Sequence, residues 1–338
     1  MLFRSVQAGT GWYSRMRGKL SKFLGKKDHE LFAQLLGATS ARTPVEENFA
    51  QAFEAMTLFK QGKYDKKIKL YKEAYNALNE GNIIQLALKK GVIPKKGFVL
   101  KDGTISKAKD KPFKALTAWI EHYDLVPKKS DGGNFNINSG QVMRVITDSW
   151  LHLTTSPKTP NFAGNLTGRT LEATIDVWAG RYLRRMLYDG DKTWRIQPAS
   201  ETGVSDVDFA LGQLIFREAG QKLGMNPDDL QAIAWFGEKG VWEQNGWTSE
   251  TGALKSSFDE SFDVFFPKGR KPRNFQEGRE IMSYKASERL LAKAKDMADN
   301  PGNYPDKTTK QIEKYLKAKT NEESKRKALP NVARFLNE

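Results

Sequence analysis

Apolar residues recur at helical spacing through most of the chain, and the punctuation between them is helical too. Val45, Phe49, Ala52, Phe53 and Met56 share one face of a 3.6-residue period. Ahead of them, Thr43 is placed as an N-cap, with Pro44 at the first helical position and Glu46 at the third. This is a capping box, with proline where its missing N–H costs nothing. Gly62 is placed to close the helix, and Leu31, Phe32, Leu35 and Leu36 predict a shorter one ending near Gly37. Residues 64–92 predict a helix and a second short one, and 114–125 an aromatic helix. After the loop KKSDGGNFNINSG, Asn138 or Ser139 can cap VMRVITDSWLHL, and NFAGNL follows a turn, TTSPKTP. Asp176 opens a helix expected to stop near Gly190, with Ala179, Leu183, Met186 and Leu187 as its apolar stripe. Ser205 and Asp208 form a capping box for DFALGQLIFREAGQKL, with Gly224 beyond its end. Asn226, Pro227, Asp228 and Asp229 then supply an N-cap, an N1 proline and two acids where the helix dipole favours them.

Two stretches break this pattern. Residues 93–113 are rich in lysine and glycine, and Asp102-Gly103 between FVLK and TISK signals a hairpin. A basic β-hairpin insertion is expected there, or else a solvated loop. After residue 245 the pattern loosens: PKGRKPR reads as a linker or strap, and the lysine-rich tail from Tyr284 as a helical extension. The fold class is therefore mainly α. The chain divides into a basic arm over 1–28, packed through Trp12 and Tyr13, a helical core over 29–245 and a basic C-terminal extension over 246–338.

Charge narrows the partners. Lysine and arginine exceed aspartate and glutamate by 15, a surplus that must sit on the surface and attract polyanions. Ribosome-associated, virion and membrane-surface proteins share that trait. No apolar run approaches the roughly 20 residues of a membrane span. The absence of cysteine excludes disulfides, a thiol nucleophile and thiolate-held zinc or iron–sulfur centres. His29, His122 and His152 form no metal-ligand pattern, so no metal or other cofactor is expected. The expected setting is the cytoplasm and the expected state a monomer.

The informative stretch is PKTPNFAGNLTGRTLEATIDVWAGRYLRR, in which Lys158 precedes Asp176 by 18 residues. The lysine follows a tight turn, and the aspartate opens a later helix. Lys158, Thr159, Asn161 and Asn165 give the local text K-T-x-N-x-x-x-N, and LLGATSARTPVEEN stands upstream. This arrangement resembles the helix-hairpin-helix DNA glycosylases of the endonuclease III type. GWY, LLGATSARTPVEEN and IDVWAGR are also similar to elements of phage-encoded proteins, for which the setting is the host cytoplasm. Where the family's hairpin carries glycines, this chain has Thr154, Thr155, Ser156 and Pro157, and proline donates no N–H.

The resemblance implies a helix-hairpin-helix bundle acting on double-stranded DNA, with the target nucleotide flipped into a pocket. Asp176 would stabilise the cationic sugar as the base leaves, and Lys158 would attack C1′ and permit strand cleavage. Thr39, Ser40 and Arg42 would fill the vacated space or touch the opposite strand. Trp150 and Trp178 would stack on the flipped base, and Arg181, Arg184 and Arg185 would pair with phosphates. Each residue also has a plainer reading. Asp176 can be an N-cap alone, Lys158 a surface lysine, the tryptophans core, the arginines a solvated face, and Thr39 and Ser40 loop polars. Asp148 and His152, four apart on an expected helix, are an acid–base pair or a surface ion pair. The alternatives to a glycosylase are a non-catalytic nucleic-acid-binding protein on the same scaffold and a virion or assembly component.

Overall fold

Helix α1 (Trp12–Thr39) begins the architecture, and Gly25, at φ 70 and ψ 166, kinks it in a conformation essentially reserved for glycine. The computed structural model describes residues 9–40, 43, 45–93, 98–99, 105–106, 111–135, 139–148, 157–187, 204–244, 258–267 and a few positions between 277 and 300. The chain is mainly α over these residues. The boundary expected at 28/29 falls inside α1. Its N-terminal half buries Tyr13, Met16 and Leu20 in the same core as Phe32, Leu35 and Leu36.

Helix α2 (Val45–Lys60) ends as its sequence predicts. Gly62 takes φ 71, its N–H reaches the Phe59 carbonyl at 2.9 Å, and the Lys63 N–H reaches that of Leu58 at 3.1 Å. At its start the Thr43 hydroxyl donates to the Thr39 carbonyl, 2.8 Å, and so ties the junction back to α1. Helices α3 (Asp65–Asn79), α4 (Ile83–Lys89) and α5 (Pro112–His122) pack on one another, and the Trp119 indole donates to the Leu70 carbonyl at 3.0 Å. Between them, β1 (Phe98–Val99) pairs antiparallel with β2 (Ile105–Ser106), Phe98 opposite Ser106. Asp102 and Gly103, expected at the hairpin's turn, lie outside the described residues.

Helix α6 spans Ser139–Ile146, shorter than the sequence predicts. Asp148 lies beyond the end of this helix, at a left-handed φ of 60, and His152 lies outside the described residues. Helices α7 (Lys158–Thr167), α8 (Val177–Leu187), α9 (Asp206–Leu223) and α10 (Pro227–Gln244) follow. The Ser205 hydroxyl accepts the Asp208 N–H at 3.1 Å, the expected cap of α9.

Helix α11 (Phe258–Phe265) belongs to the expected basic extension yet packs into the main core. Phe258, Phe262, Phe265 and Phe266 lie against Phe49, with ring centroids 5.3, 6.3, 5.5 and 5.8 Å away. Such edge-on and tilted contacts are the favoured aromatic geometries. Further along, Ile281 is buried in the same core, and a Cβ on Gly278 would collide with the Phe265 ring.

A second, smaller core gathers Ala173, Ile175, Ala179, Leu183, Phe209, Phe216 and Ala234 from α8, α9, α10 and the segment before α8. Helix α7 packs along α1, with Ala163 and Leu166 in the first core, and its asparagines face the segment that enters the second. No helix among the described residues is long and apolar enough to cross a membrane.

Candidate functional site

Helix α7 starts at Lys158 behind Pro157 and ends at Gly168, which takes φ 77. Its far end is pinned to α1 by His29, whose Nε2 donates to the Leu166 carbonyl at 2.8 Å. Burial lowers the His29 pKa and so favours the neutral ring. Lys158, half-buried, makes no ion pair or hydrogen bond to a described residue.

Residues three and seven positions past Lys158 lie on its side of an α-helix. They are Asn161 and Asn165, and both face the segment that leads to Asp176. The Asn161 amide donates to the carbonyls of Glu172 (3.1 Å) and Ala173 (3.0 Å) and to the Thr174 hydroxyl (2.9 Å). The Asn165 amide reaches the Glu172 carbonyl at 2.9 Å and the Thr174 hydroxyl at 3.0 Å. From α9, Gln213 adds a bond to the Ala173 carbonyl at 3.0 Å. A stretch of backbone with no helix or strand of its own thus has its acceptors met by side-chain amides. The sequence contained the N-x-x-x-N spacing, but nothing in one sequence says which carbonyls such amides will meet.

Asp176 closes this segment and caps α8. Its Oδ1 accepts the Ala179 N–H at 2.9 Å, and its Oδ2 accepts the Trp235 indole N–H from α10 at 3.1 Å. No ion pair or hydrogen bond joins it to Lys158. Trp235 carried no signal in the sequence beyond its place in an apolar-periodic helix.

The junction is backed by titratable groups. The buried Tyr13 hydroxyl donates to Gln231 Oε1 at 3.2 Å, and burial, chiefly, pushes its pKa up. Asp228, with only 2% of its surface exposed, sits where its N–H meets the Leu171 carbonyl at 3.0 Å. Burial and then the neighbouring Asp229 charge push the Asp228 carboxyl up to about 6, against a smaller opposing pull from Arg17. Burial raises Asp229 too, while Arg15 and Arg17 oppose the shift.

The remaining expected residues are scattered. Trp178 is half-buried, with the Arg181 guanidinium 4.5 Å from its ring. Arg184 is half-buried on the same helix. Arg185 grips the fully buried Glu238 carboxylate, with Nε and Nη2 both 2.8 Å from one oxygen, so its charge is held inside the protein. Thr39 is fully buried, and its hydroxyl lies within hydrogen-bond reach of two acceptors, Asn48 Oδ1 at 2.6 Å and the Leu35 carbonyl at 2.8 Å. DNA would reach it only by opening the α1–α2 junction. The Ser40 hydroxyl turns back to the Gly37 carbonyl at 2.9 Å. Arg42, Trp150 and Thr154–Ser156 lie outside the described residues.

A groove of about 370 Å³ opens beside α7, lined by Pro157, Asn161, Gly164, Thr167, Phe209 and Gln213, so it shares Asn161 and Gln213 with the junction; neither Lys158, Asp176 nor Trp178 lines it. Among the described residues no cluster of three or more acidic and histidine side chains is arranged to hold a metal ion.

No curated protein and no solved structure matches the chain. Residues 124–242 match the model of a family described as a family of unknown function (DUF7178). That span takes in α6 to α10 up to residue 242, and with them Lys158, both asparagines, Asp176 and Trp235, but neither α1 nor α11.

Proposed function

We propose that the chain is a DNA glycosylase of the helix-hairpin-helix kind, which removes a modified or damaged base from double-stranded DNA. One observation carries the reading. Lys158 occupies the same side of α7 as the two asparagines that hold the segment ending in Asp176. An amine with no ion pair or hydrogen bond among the described residues and a helix-capping carboxylate thereby flank one junction. The surplus of 15 positive charges supplies the attraction to a polyanion.

In this mechanism the glycosidic bond breaks and its electron pair leaves with the base. The Asp176 carboxylate offsets the positive charge that develops on the sugar. The Lys158 nitrogen then forms a bond to C1′. Opening of the sugar ring, with proton transfer to its oxygen, leaves a Schiff base from which β-elimination cleaves the strand. Without attack by Lys158, water takes its place and an abasic site remains. In this reading Trp178 would stack on the everted base, and Arg181 and Arg184 of α8 would pair with phosphates.

A panel of duplexes, each with one deaminated, oxidised, alkylated or otherwise modified base, tests the reading by alkali-revealed abasic sites. Wild-type protein should release at least one base, and Asp176→Asn should slow that release by about a hundredfold or more. Release at the wild-type rate by Asp176→Asn, or none on any duplex, would overturn it. The second reading, a nucleic-acid-binding protein without catalysis, is favoured by one feature: the 370 Å³ groove is lined by neither Lys158 nor Asp176. It predicts salt-sensitive duplex binding with no abasic product.

A further inference from the structure

Capping α8 requires only one oxygen of Asp176. The second oxygen is held by a residue 59 positions away on another helix, Trp235, whose indole N–H lies 3.1 Å from Oδ2. Both donors to the carboxylate are neutral, and no cation among the described residues pairs with it. A salt bridge would set the carboxylate's charge against a fixed cation. Two neutral donors fix its orientation and leave the full negative charge to act on a positive centre that forms during reaction.

Helix α10 holds α8 at two places. Trp235 meets Asp176 at the start of α8, and Glu238, three residues further along α10, holds Arg185 near its end. Side chains three apart share a helix face, so one face of α10 fixes the rotation of α8 about its axis. The Trp235 ring is itself constrained. It packs edge-on against Phe236, centroids 4.9 Å apart, and Lys239 Nζ stands 5.1 Å from its centroid. A cation at an indole face draws on the π system and strengthens the ring N–H as a donor.

We infer that Trp235 is a positioning residue for Asp176: its N–H sets the carboxylate rotamer that faces the developing sugar cation. This inference rests on the glycosylase reading above. The test compares wild type, Asp176→Asn, Trp235→Phe and a protein with β-(3-benzothienyl)alanine at 235, which keeps the ring's shape and replaces N–H by sulfur. Each is assayed on the duplex that wild type processes fastest, for the single-turnover rate and for duplex affinity. The expected result is an excision rate lowered about tenfold to a hundredfold in both 235 variants, the loss expected for one hydrogen bond to a charged group. Duplex affinity should stay unchanged in the benzothienyl protein and its unfolding should stay cooperative, which keeps the test sound if Trp235→Phe misfolds. If Asp176→Asn abolishes excision while the benzothienyl protein works at the wild-type rate, the positioning role is overturned and the glycosylase reading stands. A rate loss matched by an equal loss of affinity also overturns it. If no excision depends on Asp176, the glycosylase reading fails and this inference with it.

Discussion

The core around Phe49 and the junction around Asn161 and Asn165 solve the problem of holding helices together in opposite ways. In the first, phenylalanines from α2 and α11 meet ring against ring, with one buried neighbour standing in for another. In the second, the amides of two asparagines and a glutamine donate to the Glu172 and Ala173 carbonyls and to the Thr174 hydroxyl at 2.9–3.1 Å. Apolar burial is strong and non-directional, whereas a hydrogen bond weakens steeply when its geometry is lost. The aromatic core therefore supplies stability, and the polar junction supplies the position of the segment from Glu172 to Asp176. A protein that needed only to be stable would have no use for the second arrangement, since buried amides stabilise little in net terms.

Substitutions should separate the two regions. The largest effect is expected for Phe49→Ala, which opens a cavity among five rings. Urea denaturation should show a loss of about 3–5 kcal/mol, enough to unfold a marginal chain. A loss below about 1 kcal/mol would mean that α11 does not depend on that ring. Asn165→Leu keeps the branched shape of the side chain but removes one of the two amide donors to the Glu172 carbonyl and to the Thr174 hydroxyl, leaving each with Asn161 alone. The two bonds lost should together cost about 1–3 kcal/mol and slow excision far more than that stability loss explains, with Phe49→Ala as the control.

Asp228 sharpens the comparison through pH. Its carboxyl is raised from the ordinary 3.8 to about 6 in the fold, so the protonated form is the one folding favours. Stability should fall as pH rises through the window from about 4 to about 6 and level off above it. Asp228→Asn should flatten that slope and raise stability at neutral pH by roughly 1–3 kcal/mol, read from denaturation midpoints at several pH values. An unchanged slope would show that the carboxylate is solvated after all. The smallest effect is expected at the surface: Lys19→Met breaks the ion pair with Asp259, and an exposed pair should change stability by no more than about 0.5–1 kcal/mol.

Much of the helical scaffold was legible because local signals set it. Gly62, the Ser205–Asp208 box and the Asn226–Pro227 start act within a few residues of the helix ends they define. Long-range partners were not legible. Thr39, expected near DNA, turned inward because Asn48 waits nine residues on to accept its hydroxyl. Arg185, grouped with two other arginines, is claimed by a carboxylate 53 residues away. In the C-terminal stretch the lysines dominate the composition, while Phe258, Phe262, Phe265 and Phe266 carry the helical apolar stripe that packs into the core. In the candidate site, the order of Lys158, the asparagines and Asp176 was visible. The indole that completes the carboxylate's hydrogen bonding was not, because its pairing exists only once α10 has packed on α8.

The central claim is that Lys158 and Asp176 serve the same sugar carbon. Borohydride reduction of protein mixed with a duplex carrying a single abasic site tests it most directly, because it captures the amine at C1′ whichever base is the natural target. The account predicts a covalent protein–DNA adduct with wild type, none with Lys158→Ala, and a weaker one with Asp176→Asn. An adduct that persists undiminished in Lys158→Ala, or no adduct with wild type, would contradict it.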